Sequence, residues 1–437
     1  MRIVRCSEKG YEKKLAPLTR RAKPDQQVQA TVAEILAAVE KEGDRALIRY
    51  TKKFGGPKLT PAKLRVTDAE LDAADAALDA KTRRALRASH ANVAVFAKAS
   101  LRESWFMKNR QGAIVGERFD PFRRVGIYVP GGTAPLVSSA IMTCTLAQTA
   151  GVPEIVVATP SDAKGKVHPA LLAALRLCGA TEIYKVGGAQ AIAALAYGTK
   201  TIAPVVKLFG PGNAYVVEAK RQLFGICAVD QLPGPSEVLV IADDAANPEW
   251  VAADLLAQSE HGHGSEAILL TPSGRLLDQV VEAIKRQAAE SSRPEFLAGA
   301  LRNAMLVQVR DLDEAIALAN AYASEHVSVA TREPGVVAAE LLTSGAIFLG
   351  GISPVAGGDF LAGPSHELPT GGAGKSFAGL TADQFQRRTS IVRFDEDSLR
   401  KSAPYLEAFS AIEGLDAHGR SVSIRLPRRI PSRRKGK

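Results

Sequence analysis

Cysteine is scarce in this chain. Four residues, Cys6, Cys144, Cys178 and Cys227, are scattered through 437 positions without CxxC spacing, which excludes a disulfide scaffold and fits a reducing compartment. Long apolar runs are missing too. No segment approaches the 18 residues of a membrane span, and the N-terminus has charges but no apolar stretch of signal length, so the expectation is a soluble, cytoplasmic protein without membrane contact. No GxGxxG fingerprint and no internal repeat are evident. Acidic residues are outnumbered, 46 to 56, but the surplus is local: Arg425 to Lys437 carries seven positive charges and no negative one. The rest of the chain is close to balance, so the net charge of +10 does not by itself indicate a nucleic-acid partner. The tail reads as a solubilising end.

What is present is alternation. An apolar content of 46% and a charged content of 23% describe an ordinary globular protein of two to three domains. After a polar arm, Val28, Val32, Ile35, Leu36 and Val39 mark an amphipathic helix ending at Gly43. Thr67 to Glu70 has the form of a capping box. From Arg124 onward, short apolar strands alternate with helical segments: 125–129, 155–158, 183–186 and 205–209, then 238–241, 268–270, 305–309, 327–330 and 346–349. Such spacing predicts βαβ units, hence an α/β fold of two doubly wound, incomplete Rossmann-like parallel-sheet domains with small N- and C-terminal helical segments. Three strand ends in the first half carry glycine-rich turns suited to close approach of a phosphate, although tight strand-to-helix turns have the same composition. Beyond Leu380, helices at 381–388 and 399–412 are expected. They are too few for a core of their own and should dock on a partner subunit.

Several polar residues stand where chemistry is done. Asn247-Pro248 opens a helix whose last turn carries Gln258 and His261 at i and i+3, on one face. On these two residues alone this reads as a polar helix end with a solvated histidine, and otherwise as half of a metal site. Seven histidines are few enough to weigh singly. His90 and His168 lie in ordinary helical contexts, and His263 between two glycines is a loop residue near the same helix end. Glu325-His326 directly precedes an apolar strand, where a charged pair is either solvated or functional. Asp359 sits in a glycine-rich turn, His366 in a rigid loop, and Glu413 and His418 on the terminal segment. Gln258, His261, Asp359 and His418 together have the composition of an N₂O₂ zinc site. Spacing alone does not bring them together.

The whole set resembles the histidinol dehydrogenase family. The matching stretches are RVGIYVPGGTAP (124–135), VGGAQAIAALAYG (186–198), GPGN (210–213), GPSE (234–237), NPEWVAADLLAQSEH (247–261), Glu325-His326, Gly358-Asp359, 363–370 and 413–418. The resemblance implies an oxidoreductase that takes L-histidinol through L-histidinal to L-histidine with two NAD⁺ and one Zn²⁺ per subunit. It implies Glu325 and His326 as the catalytic pair. The metal ligands would be Gln258, His261, Asp359 and His418, and the NAD contacts Tyr128, Gln190 and Asn213. Ser236, His366 and Glu413 would touch substrate together with the metal set and His326. It also implies a homodimer in which His366, Glu413 and His418 complete the partner's site. The expected division is an arm at 1–22, a metal and catalytic domain from 23–128 and 237–380, an NAD domain at 129–236, a dimerisation segment at 381–426 and a tail at 427–437. Residues 229–233, 262–264 and 371–377 depart from the common family wording, which keeps open a paralogue acting on another small alcohol, such as a sulfonated diol. A nucleotide- or RNA-binding protein working through the basic tail is the rival from a different class.

Overall fold

Strand Glu237–Ala242 is buried along its whole length and apolar after its first residue, as a strand must be when a parallel sheet is covered on both faces. Its side chains alternate between two cores. Val238, Val240 and Ala242 join one cluster with Leu255 and Val280, while Leu239 and Ile241 join another with Ala315 and Val327. In the computed structural model, which describes residues 1–19, 25–131, 135–262, 264–292 and 294–426, this strand belongs to a six-stranded sheet. The order is Arg2–Arg5, Met305–Gln308, Glu266–Thr271, Glu237–Ala242, His326–Ala330 and Ala346–Leu349, all parallel. His263, Gly132 to Ala134 and the tail from Pro427 lie outside the described residues.

A second parallel sheet has five strands: Glu182–Tyr184, Glu154–Ala158, Arg124–Tyr128, Lys207–Phe209 and Ala228–Val229. Its central strand comes first in sequence and is followed outward on one side by the next two, the doubly wound arrangement expected. The helices covering it come partly from the N-terminal region. Val32, Ile35, Leu36 and Val39 of helix Gln26–Glu42 pack with Ile192 and Leu195 of helix Gly188–Tyr197. Helix Ala80–Ala99 likewise lies against Val137–Thr149.

The structure therefore divides the chain differently from the sequence expectation. Residues 26–99 and strand Arg124–Tyr128 belong with the five-stranded sheet rather than with the six-stranded one, because their apolar stripes are complementary to its helices. The N-terminal arm, in turn, supplies the edge strand Arg2–Arg5 of the six-stranded sheet and buries Val4.

Residues 102–121 and 386–437 form a separate compact unit, described here to residue 426. It is an antiparallel sheet of Gln386–Arg393, Ile114–Pro121 and Trp105–Lys108, with helices Glu396–Glu413 and Asp416–Ser423. The helix expected at 381–388 is instead a short 3₁₀ turn, Ala382–Phe385, followed by a strand. Thr389, Ile391 and Val392 favour the pleat, and the eight-residue register with Ile114–Pro121 decides the matter. No described helix is long and apolar enough to cross a membrane.

Candidate active site

The helix Pro248–Ser259 starts as its sequence requires, with Asn247 Oδ1 accepting from Glu249 N at 2.9 Å. It follows strand Glu237–Ala242 and runs back against it. Its last turn thus returns to the edge of the sheet where the strands begin. Gln258 is buried there, and its Nε2 has no hydrogen-bond partner among the described residues. His261 N donates to Gln258 O at 3.2 Å in the turn beyond. Desolvation lowers the His261 pKa, with Asp359 opposing and His326 assisting that shift, so the His261 and His326 rings and the Asp359 carboxylate lie within electrostatic reach of one another.

Glu325 and His326 sit at the same edge. Their strand pairs with Glu237–Ala242 so that His326 lies opposite Val238. That register sets the two preceding glutamates side by side: Glu237 N donates to Glu325 Oε2 at 2.8 Å, and Glu325 N donates to Glu237 Oε2 at 3.4 Å. Burial pushes the Glu325 carboxyl up to about 7, against the pull of His326, while the Ser236 hydroxyl also hydrogen-bonds it. Burial likewise pushes Glu237 up to about 8, although Gly371 N donates to it at 2.8 Å. His326 Nδ1 lies 3.2 Å from Glu237 O, and its Nε2 lies 3.4 Å from Asp359 Oδ1. Burial would lower the pKa of this imidazole, but the hydrogen bond to Asp359 and the charges of Glu325 and Asp359 outweigh it and raise the pKa. Asp359 is correspondingly held low: burial raises it, and His326, His366 and His261 together lower it by more.

His366, which the resemblance assigns to the partner's site, instead completes the cluster of its own chain, because its loop returns it to the backbone of Asp359. Its Nδ1 donates to Asp359 O at 3.0 Å, which leaves Nε2 to accept from Ser139 Oγ at 3.2 Å. Burial lowers its pKa, against the opposing effect of Asp359. His326 and His366 both line a cavity of about 540 Å³ with Phe348, Gly358 and Ser365.

Open α/β sheets are expected to bind ligands where their strands end. This cluster lies where the strands of the six-stranded sheet begin, because helix Pro248–Ser259 and helix Val355–Phe360, which holds Asp359 where the sequence predicts a turn, both follow strands and return. The five-stranded sheet keeps the ordinary rule. Beyond the C-terminal ends of its strands is a cleft of about 530 Å³, lined by Tyr128, Gly131, Gly188, Gln190 and Asn213 among others. The Tyr128 hydroxyl accepts from Gly188 N at 3.1 Å, and burial raises its pKa. Asn213 Oδ1 caps helix Ala214–Leu223, accepting from Tyr215 N and Val216 N. Gln190 is buried with its Oε1 unpartnered among the described residues.

The structure thus brings together Gln258, His261, Glu325, His326, Asp359, His366 and Ser236, and separately Tyr128, Gln190 and Asn213. Glu413 and His418 are exposed and belong to the second unit, at the end of one helix and within the next. Among the described residues no group of three or more His, Cys, Asp or Glu is arranged to hold a metal within the single chain. Two groups escaped the sequence reading. Glu237, present in the GPSE stretch but given no role, clamps Glu325; a charged residue directly before each of two pairing apolar strands was the signal. Glu367 is buried beside His366, its Oε1 3.7 Å from Nε2, and burial drives its pKa well above the ordinary value. Nothing in the sequence marked it.

Against known proteins, the histidinol dehydrogenase family profile matches residues 18–426. The histidinol dehydrogenase of Gloeobacter violaceus is 43% identical over 425 residues, covering 97% of this chain and 96% of its own. That of Agrobacterium fabrum is 44% identical over 425 residues, with 97% and 98% covered. The crystal structure of histidinol dehydrogenase from Elizabethkingia anophelis superposes with a TM-score of 0.92 at 34% identity, covering 97% of this chain and 98% of that one.

Proposed function

Because this chain belongs to the histidinol dehydrogenase family and is an oxidoreductase of that kind, we propose that its Glu325–His326 cluster oxidises L-histidinol through L-histidinal to L-histidine, with NAD⁺ as acceptor and Zn²⁺ as resident metal. The observation that carries the catalytic assignment is the clamp between Glu237 and Glu325, which fixes the Glu325 carboxyl at the mouth of the strand that begins with His326.

The acid–base work follows from that geometry. With Nδ1–H directed to Glu237 O, Nε2 is the basic atom of His326, and Asp359 at 3.4 Å favours the imidazolium that forms. His326 therefore takes the hydroxyl proton as hydride leaves the alcohol carbon. Glu325, poised near neutrality by burial, takes a proton from the water that adds to the aldehyde, and the hydrate yields the second hydride and the acid. Tyr128, Gln190 and Asn213 would hold NAD⁺, which would supply the hydride acceptor. Gln258 Oε1, His261 and Asp359 offer an amide oxygen, an imidazole and a carboxylate, a donor set that fits a metal needing one more donor. We assign that donor to His418 of a second copy of the chain, giving two imidazoles and two oxygen donors. Zn²⁺ held there would anchor the substrate's imidazole and amino group. Ser236 and His366 would line the substrate, and Glu413 of the second copy would pair with its ammonium group.

A homodimer is supported by the second unit, where Trp105, Phe106, Phe409 and Ile412 are exposed apolar residues. A carboxylate and imidazoles around the substrate disfavour a sulfonated diol, whose anion would call for arginine or lysine. The decisive measurement is NADH yield with L-histidinol, with chelator and with restored Zn²⁺. Two NADH per substrate, lost on chelation and recovered with zinc, are expected. Glu325→Gln should stop the reaction after the first oxidation, and an undiminished NADH yield in that variant would sink its assignment.

A further inference from the structure

Tyr128, Gln190 and Asn213 leave part of the cleft beyond the five-stranded sheet unaccounted for. Ser161 and Lys185 line that part. They follow strands Glu154–Ala158 and Glu182–Tyr184, which are hydrogen-bonded neighbours. In a doubly wound sheet, the group after the second strand reads the adenosine ribose: a carboxylate takes the 2′-hydroxyl of NAD, and a cation accommodates the 2′-phosphate of NADP. This chain places neither alone. The carboxylate next in sequence, Asp162, is committed to its own turn, with Oδ1 accepting from Lys164 N at 2.9 Å and Lys166 N at 2.8 Å. The Ser161 hydroxyl, by contrast, is buried without a hydrogen-bond partner among the described residues. That is a costly arrangement for a polar atom unless a ligand completes it.

Lys185 brings a positive charge to the same cleft, its side chain only 8% exposed. Both oxygens of Glu70 meet its Nζ, at 2.9 and 3.2 Å. Glu70 is held in place from the other side as well, since its Oε2 accepts from Thr67 N at 2.9 Å in the capping box that opens helix Asp68–Ala77. The ammonium is thereby neutralised by a carboxylate that does not itself line the cleft.

We propose that Ser161 and Lys185 form the adenosine-ribose subsite, and that Glu70, by neutralising Lys185, sets the preference for NAD⁺ over NADP⁺. This rests on the cofactor reading above and adds to it a specificity-determining residue outside the cleft. With Glu70 ionised the subsite offers hydrogen bonds but no free charge, so a 2′-phosphate gains no partner. Without that carboxylate, Lys185 becomes a phosphate-binding group.

The test is equilibrium binding of NAD⁺ and NADP⁺, each measured by calorimetry on the full chain with no substrate present. Glu70→Gln is the main variant, because glutamine preserves the capping box. It should shift the affinity ratio toward NADP⁺ by roughly fivefold to tenfold, and adding Lys185→Met should abolish the shift. Ser161→Ala should weaken both dinucleotides alike, by about fivefold for one lost hydrogen bond. An unchanged ratio in Glu70→Gln, or wild-type affinities in Ser161→Ala, overturns the proposal while leaving the cofactor reading intact. A parent chain that binds neither dinucleotide overturns the cofactor reading itself.

Discussion

The Lys220 ammonium is fully buried, paired with Asp230, and donates to Gly210 O at 2.8 Å. Asp230 in turn accepts from Gly210 N at 2.8 Å. One glycine residue is thus gripped through both its N–H and its C=O, at φ +103°, where an added Cβ would meet Tyr128 O at 2.1 Å. No other residue fits. The grip fixes the GPGN turn against Tyr128, and so shapes the cofactor cleft. Lys220→Met leaves a buried carboxylate uncompensated and should cost roughly 3–5 kcal/mol in chemical denaturation. Restoring charge balance with Asp230→Asn in the same chain should recover a substantial part. A loss under 1 kcal/mol in the single variant would show the pair to be solvated. None of this was legible beforehand: Lys220 looks like any helix lysine and Asp230 like any loop aspartate. Glu325 and His326 were legible, because a charged pair at the mouth of a buried strand is unusual wherever it occurs.

Among the elements, the five-stranded sheet is tied at its base by Arg124, whose guanidinium contacts Glu154 at 2.7 Å and Glu182 at 2.8 and 3.0 Å across three adjacent strands. The Tyr184 hydroxyl also donates to Glu182 at 2.8 Å. The hydrogen bond from Arg124 holds the Glu182 pKa below its ordinary value, against the opposing effect of burial. A carboxyl depressed in the folded state contributes stability above its unfolded pKa and loses it as pH falls through the folded value. The stability gap between the parent chain and Glu182→Gln should therefore be full at neutral pH and narrow below about pH 4.5, followed by denaturation midpoints across pH. A gap independent of pH would mean that packing, not charge, underlies it. The strands and helices of both parallel sheets were largely readable from period and punctuation. Strand Gln386–Arg393 was not, since its partner strand lies more than 260 positions away.

For the whole molecule, the six-stranded sheet carries seven of the site residues at one edge, while Glu413 and His418 lie in the other compact unit. If a second copy supplies them, co-expressing Glu325→Gln and His418→Ala chains should regain the complete oxidation to L-histidine, which neither has alone. In a mixed dimer one site then carries both defects and the other carries none, so random pairing yields about a quarter of the parental activity. No recovery, with mixed dimers verified by two affinity tags, would exclude the shared site.

The amino-acid order alone determined the α/β alternation, the helix that begins at Asn247 and the candidate residues, because local period, caps and residue chemistry are written within a few positions of each other. It did not determine which sheet the N-terminal helices cover, since an apolar stripe specifies a need for burial and not its partner. Nor did it determine at which edge of the six-stranded sheet the chemistry lies. That followed only from the return of helix Pro248–Ser259 and the register of Glu237 against Glu325, which turn two distant charged residues into one clamp.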